Sequence, residues 1–260
     1  MTAQDLKNSI LQEAVQGRLV EQRAEEGTAD ELLNKIAVEK DKLIKEGKIK
    51  AEKNLSSIYR RDGSWYEIRS GEEACIDDEI PFDIPDGWEW ARLGTIGNIV
   101  GGGTPKTDHS EYWNGGTIPW LTPADMRDIK TMHVSHGSRN ITEEGLKKSS
   151  AQLLPKGTVL FSSRAPIGYL AIAANDISTN QGFKSVVPFL ERTNIYIYFA
   201  LMQKVPEIDG NASGTTFKEV SGSEVARILI SLPPLAEQQR IIAKLDELLP
   251  MCDAMTKRGT

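Results

Sequence analysis

Four polar loops hold the side chains of this chain best suited to contact a ligand. In Gly101-Gly102-Gly103-Thr104-Pro105-Lys106 the glycines resemble a phosphate cradle. No Gly-Lys-Ser/Thr follows, which argues against a nucleoside triphosphate. The loop either lets DNA approach the backbone closely or forms a tight turn at a strand end that needs positive φ angles. Ser162-Ser163-Arg164-Ala165-Pro166-Ile167-Gly168 follows the apolar run TVLF with two hydroxyls and a guanidinium. Arg164 can grip guanine or a phosphate, and Ser162 and Ser163 can serve either surface. Alternatively, Arg164 ties the loop to a carboxylate while the serines close a turn. No histidine or lysine stands at a spacing that implies a base for a nucleophilic serine.

Thr179-Asn180-Gln181-Gly182-Phe183-Lys184 and Gly214-Thr215-Thr216-Phe217-Lys218 are the other two loops. Asn180 and Gln181 match the donor and acceptor edge of adenine, and Lys184 and Lys218 match phosphates. Phe183 and Phe217 are expected to anchor their loops on the domain. The candidate DNA-contacting set is therefore Thr104, Lys106, Ser162, Ser163, Arg164, Thr179, Asn180, Gln181, Lys184, Thr215, Thr216 and Lys218.

Other chemistries are weaker. His133 and His136 are three apart without a second ligand pair, so solvated loop histidines are expected rather than a metal site. Pro85-Asp86 with Asp128-Ile129-Lys130 formally spells a metal-dependent nuclease pattern, an alternative in which the acids hold magnesium. Pro85-Asp86-Gly87 also reads as a plain turn before Trp88. Trp88, Trp90, Trp113 and Trp120 are expected in the core. Cys75 and Cys252 are expected to be reduced thiols.

The elements that position these loops lie at the two ends and in between. Leu6, Ile10 and Ala14, beside Leu11, Val15 and Leu19, form an apolar helical stripe. After a polar break at Glu21 to Asp30, Leu32, Leu33, Ile36, Leu43 and Ile44 continue it, and the charged run EKDKLIKEGKIKAEK reads as a solvated helix end. Near the other end Val225 to Leu232 suggests a buried strand stopped by Pro233-Pro234. A helix then carries Ile241, Ile242, Leu245, Leu248 and Leu249 on one face, with Glu237 near its start, where the helix dipole favours a negative charge. The expected layout is a helical arm over 1–54, an irregular connector with a turn or hairpin over 55–87, a recognition domain over 88–232 and a helix over 233–260. Short β-type runs (TVLF, YLAIA, SVVPF) between Gly/Pro/Ser loops give the middle domain an α/β character with a twisted mixed sheet. The whole is α+β, with a coiled-coil-like helical arm.

Composition is that of a globular chain: 260 residues, 39% hydrophobic and 26% charged. No apolar stretch approaches the ~20 residues of a membrane span and no signal peptide is visible, so a cytoplasmic protein without a membrane partner is expected. The net charge of −6 is uneven: 14 basic against 21 acidic residues in 1–102, 12 against 10 in 103–218, and 5 against 6 in 219–260. Such a chain binds DNA weakly by itself, and a basic partner has to help. The acidic arm also admits a pure interaction module or DNA mimic, although the mildly basic middle argues against it.

The blocks LKNSILQEAVQGRLV and PPLAEQQRIIAKLDELL, with GGGTP, YWNGGTIPWLTPADM, GTVLFSSRAPIGYLAI, TNQGFKSVVP and GTTFKEVSGSEVARILISLPP between them, together resemble the specificity subunit of a type I restriction-modification enzyme. The resemblance covers nearly the whole chain. It implies a non-catalytic subunit that reads double-stranded DNA and holds a modification subunit and a restriction subunit. S-adenosylmethionine, ATP and magnesium would serve those partners, with no cofactor on this chain. The Asn/Asp-Pro-Pro-aromatic motif by which amino-methyltransferases resemble one another is absent, since the only Pro-Pro lies between Leu232 and Leu235. The family's usual plan holds two recognition domains separated by helices that act as a ruler, whereas this sequence holds one, suited to half of a bipartite target. The stripes bearing Leu6, Ile10, Ile241, Leu245 and Leu248 either close on each other or pair with a second copy as a homodimer. The dimer is the preferred expectation because it restores a two-domain layout.

Overall fold

The chain is described by a computed structural model over residues 2–51, 56–129, 131–164, 166–212 and 218–258, with side chains to residue 255. It divides into two compact units, Met1–Ile96 with Leu229–Thr260, and Gly97–Ile228.

Thr2 opens α1 (Ala3–Val15) with a capping box: its hydroxyl accepts from the Asp5 N–H while the Asp5 carboxylate accepts from the Thr2 N–H. The polar break holds one 3-10 turn at Ala24–Glu26, and Thr28 then caps α2 (Ala29–Lys45). Leu32 and Ile36 are buried on α2, and most of the charged run at its end is exposed.

The described residues of 55–87 are more regular than a connector. β1 (Ser56–Arg61), β2 (Ser64–Arg69) and β3 (Glu72–Cys75) form an antiparallel three-stranded sheet. Asp62-Gly63 and Ser70-Gly71 sit at positive φ throughout, as primed hairpin turns require. Charged residues occupy six of the sixteen strand positions, which hides the alternation. The apolar cluster beneath is Ile58, Trp65, Ile76, Trp90 and Leu229. β4 (Glu89–Arg92) and the short helix α3 (Leu93–Ile96) follow. Arg92 is caged here: it donates to Glu67 at 2.8 and 3.2 Å and to Glu79 at 2.8 Å, and Ser56 donates to Glu67 at 2.6 Å.

The second unit runs through β5 (Gly97–Gly101), β6 (Ile118–Leu121), α4 (Pro123–Met126), β7 (His133–Val134), β8 (Arg139–Ile141), α5 (Glu143–Lys147), β9 (Val159–Ser163), β10 (Ile167–Ala173), β11 (Ser178–Thr179), β12 (Lys184–Pro188), α6 (Asn194–Asn211) and α7 (Gly222–Arg227). A five-stranded mixed sheet has the order β5-β12-β9-β10-β7, with β10 and β7 parallel and the other neighbours antiparallel. A second sheet, β11-β6-β8, pairs β11 parallel to β6. α6 packs on β9 and β10; β9 is buried along its length, with Val159, Leu160 and Phe161 as its apolar run. Leu121, Leu160, Ala171, Ile177 and Phe183 centre the core.

The chain then returns to the first unit through β13 (Leu229–Leu232), antiparallel to β4, and α8 (Leu235–Arg258). Only the second half of the expected Val225 to Leu232 strand is extended. Ser221 accepts from the Glu224 N–H at 3.2 Å and Glu224 reaches back to the Ser221 N–H at 2.7 Å, and this capping box starts α7 instead. β4 and β13 belong to the first unit, and the second unit, Gly97–Ile228, lies inside the expected 88–232.

α1 packs against α8 within the one chain. Leu11, Ala14, Val15, Ile241, Leu245 and Leu249 are buried, and Leu6, Ile10 and Leu248 are half-buried. The two stripes therefore close on each other within the chain, the other of the two expected arrangements. Polar bonds fasten this closure. Ser231 donates to the Val15 carbonyl at 2.6 Å, Gln22 and Trp88 donate to opposite oxygens of Glu237 at 2.8 and 2.9 Å, and Arg240 grips Glu26 at 2.7 and 2.6 Å. Gly17, at φ +72°, leaves no room for a Cβ beside Pro85. No helix among the described residues is long and apolar enough to cross a membrane.

Candidate nucleic-acid interface

β9 delivers Ser162 and Ser163 to the loop, but their hydroxyls turn inward. Ser162 Oγ donates to the Pro166 carbonyl and accepts from the Tyr169 N–H, both at 2.8 Å. Ser163 Oγ donates to the Gly182 carbonyl at 3.3 Å. Both residues are fully buried. Ser162 closes the turn and Ser163 ties it to the Gly182 loop, so both hydroxyls are engaged within the protein and leave the DNA-contacting set. Arg164 stays at the surface, its Nη1 3.6 Å from Glu219 Oε2, while Lys184 Nζ lies 3.5 Å from Glu219 Oε1.

The glycine loop serves the protein's own backbone. A Cβ on Gly102 would run into Thr179 and Asn180, and one on Gly103 into Ser150 and Ala151. Gly103 N–H donates to the Thr179 carbonyl at 2.9 Å and its carbonyl accepts from Trp120 Nε1 at 3.0 Å. These glycines provide room for close packing, and neither DNA approach nor a positive φ is needed to explain them. Thr179 is buried and also leaves the contacting set. Thr104 Oγ1 bonds Gln181 Oε1, joining two of the four loops, and Lys106 is exposed. Phe183 is fully buried, the anchor it was expected to be.

A cleft of about 700 Å³ opens between these loops. Arg164, Asn180 and Lys218 line it, with Thr122, Pro123, Ala124, Pro166, Ile167, Gly182 and Asp209. Lys218 Nζ donates to the Asp209 carbonyl at 3.0 Å. Asn180 Oδ1 accepts from the Gly182 N–H at 2.8 Å, and its amide nitrogen makes no hydrogen bond among the described residues. A cationic rim, a free amide and an apolar floor suit a base edge flanked by phosphate. Thr215 and Thr216 lie outside the described residues. Thr122 to Ala124, Asp209 and Glu219 were missed by residue type. Thr122-Pro123-Ala124-Asp125 carried a readable signal, an N-cap with proline at the first helical position. Asp125 accepts from the Thr122 N–H and hydroxyl at 2.8 and 2.6 Å and from the Ser138 N–H at 2.9 Å. Burial pushes its carboxyl up, but these bonds outweigh it and hold it below the ordinary range.

The alternative chemistries gain nothing. His133 and His136 are exposed, and no group of three or more metal-ligating side chains occurs among the described residues. Asp86 sits in a turn closed by the Trp88 N–H to the Pro85 carbonyl at 3.1 Å. It belongs to the first unit and Asp128 to the second, and Lys130 lies outside the described residues.

A family model described as the type I restriction modification DNA specificity domain matches residues 85–259. The chain belongs to this family. The match runs from the turn before β4 to the end of α8, so the specificity domain includes the β4–β13 pair as well as the second unit. Among relatives, the type I restriction enzyme MjaIX specificity subunit of Methanocaldococcus jannaschii is 42% identical over 62% of this chain and 38% of its own length. The EcoAI specificity subunit of Escherichia coli is 30% identical over 96% of this chain and 40% of its own. The crystal structure of the HsdS subunit from Thermoanaerobacter tengcongensis superposes with a TM-score of 0.55 at 26% identity, covering 69% of this chain and 42% of that one. The chain thus spans about two fifths of the length of these specificity subunits.

Proposed function

We propose that this chain is a non-catalytic DNA-recognition component of a type I restriction-modification complex, reading one half of a bipartite duplex target. The observation that carries the reading is the convergence of Arg164, Asn180 and Lys218 on one cleft in a chain of the specificity family. The helices hold the modification subunit, and a restriction subunit joins the complex in the cytoplasm. S-adenosylmethionine, ATP and magnesium act on those partners, and this chain carries none of them. The first unit is acidic, so the modification subunit supplies most of the phosphate neutralisation and this chain supplies the discrimination.

Selection of bound sequences from a randomised duplex pool, by the chain with its modification subunit, tests the reading. A recurrent half-site motif is expected, and a selected pool with no motif would overturn it. The chain alone should neither methylate nor cut DNA with magnesium, ATP and S-adenosylmethionine present. Magnesium-dependent cutting abolished by Asp128→Ala would revive the nuclease alternative.

A further inference from the structure

Glu219 is an odd neighbour for a surface that faces phosphate. Its carboxylate lies between the Arg164 guanidinium and the Lys184 ammonium, at 3.6 and 3.5 Å. Among the described residues neither cation has another side-chain partner. The backbone puts it there: Glu219 bridges Arg164 antiparallel, and the next residue, Val220, donates its N–H to the Ser163 carbonyl at 3.0 Å. The acid is thus tied to the strand end that carries Arg164, at the rim of the cleft. Both distances exceed those of a charge-assisted hydrogen bond, and all three side chains keep contact with water. Such pairs orient a cation without holding it tightly, and they exchange readily for a stronger anion.

We propose that Glu219 is a positioning residue for sequence discrimination, an inference that rests on the function proposed above. Its carboxylate fixes the direction in which Arg164 enters the cleft, and it offsets one of two adjacent positive charges that would otherwise grip any phosphate. The trio carries a net charge of about +1, enough to favour DNA and too little to bind it indiscriminately. The effect on binding is opposite to that expected for a direct contact. Removing a contact weakens binding, whereas removing this acid strengthens binding to all sequences and blurs the choice among them.

The test repeats the randomised-duplex selection with the modification subunit present, for the wild type and for Glu219→Gln, and measures affinity for an unselected pool against salt. Glu219→Gln is nearly isosteric and keeps the backbone bridge. Its pool affinity should rise several-fold, up to about tenfold at about 0.1 M salt, with a salt slope steeper by up to ~1. The motif should lose information at one position. Glu219→Asp, which keeps the charge, should restore the salt slope. Glu219→Gln combined with Lys184→Gln returns the trio to its original charge, so the slope should fall back while the motif stays degraded, because Arg164 still lacks its guide. A wild type that selects no motif overturns the function proposed above. A wild-type motif with an unchanged motif and salt slope in Glu219→Gln overturns the role of Glu219 alone. So does recovery of the motif in the double variant.

Discussion

The two units handle arginine–glutamate pairs in opposite ways. In the first unit the Arg92 and Glu67 side chains are each 5% exposed and 2.8 Å apart, and Glu79 and Ser56 complete the cage. In the second unit Arg164 is 34% and Glu219 41% exposed, with 3.6 Å between them. A buried pair that loses one partner strands an uncompensated charge, whereas an exposed one gives way to water. The first arrangement fixes a shape. The second leaves its charges available to a ligand.

The contrast is broken most severely at Arg92. Arg92→Ala should cost ~3–5 kcal/mol of stability, because Glu67 stays buried without its partner, measured as a shift in the urea unfolding midpoint. A loss below about 1 kcal/mol would place this pair with the surface pairs. Next is the α1–α8 seam, where Leu245 is fully buried. Leu245→Ala should cost ~2–5 kcal/mol and raise hydrogen exchange in both helices. Exchange confined to α8 would separate the helices energetically.

In the second unit the same kind of change should move binding instead. Arg164→Ala should cost ~1–3 kcal/mol in affinity for the selected target and relax one position, while Lys184→Ala should weaken all sequences and lower the salt slope by ~1. If neither affinity nor motif moves, reading lies on other loops. The smallest effect is on stability: Glu219→Gln should change it by no more than ~1 kcal/mol, and a larger loss would make that pair structural like Arg92–Glu67.

Acidity sharpens the comparison within the first unit. Burial raises the Glu237 carboxyl above its ordinary value, more than the bonds from Trp88 and Gln22 lower it. Its contribution to stability is therefore fully present below the unfolded-state pKa and is lost as pH rises through the folded one. Glu67 runs the other way. Burial pushes it up, but the bonds from Arg92 and Ser56 more than reverse this, so its stabilisation is present above the ordinary value and is lost as pH falls through the folded one. Glu237→Gln should therefore flatten the decline in stability as pH rises above the ordinary carboxylate range and leave the acid limb in place. An unchanged decline on the alkaline side would clear Glu237 of that role.

Sequence pattern exposed the strands whose neighbours are apolar. TVLF, YLAIA and SVVPF fall in β9, β10 and β12 because β-branched and aliphatic runs need burial. The β1–β3 sheet was hidden because Arg60, Arg61, Glu72 and Glu73 occupy strand positions, and its turns alone announced it. For the site, residue type singled out Arg164, Asn180 and Lys218, which line one cleft, together with Ser162, Ser163 and Thr179, which are buried. A hydroxyl serves the protein's own carbonyls as well as it serves DNA, and the direction it faces depends on strand pairing many residues away. The helical stripes showed that α1 and α8 need partners; that they suit each other is a matter of three-dimensional closure.

The pairing of β4 with β13 also bears on how a new preference can arise. Leu229 stands opposite Arg92 in that ladder, so the chain departs for the second unit and comes back on neighbouring strands, ~5 Å apart. A different insert with ends at the same spacing could replace Gly97–Ile228 while the ladder, the Arg92 cage and the helical seam keep their own bonds. A frame closed by its own ladder, cage and seam thus sets the end-to-end spacing that any inserted segment has to meet.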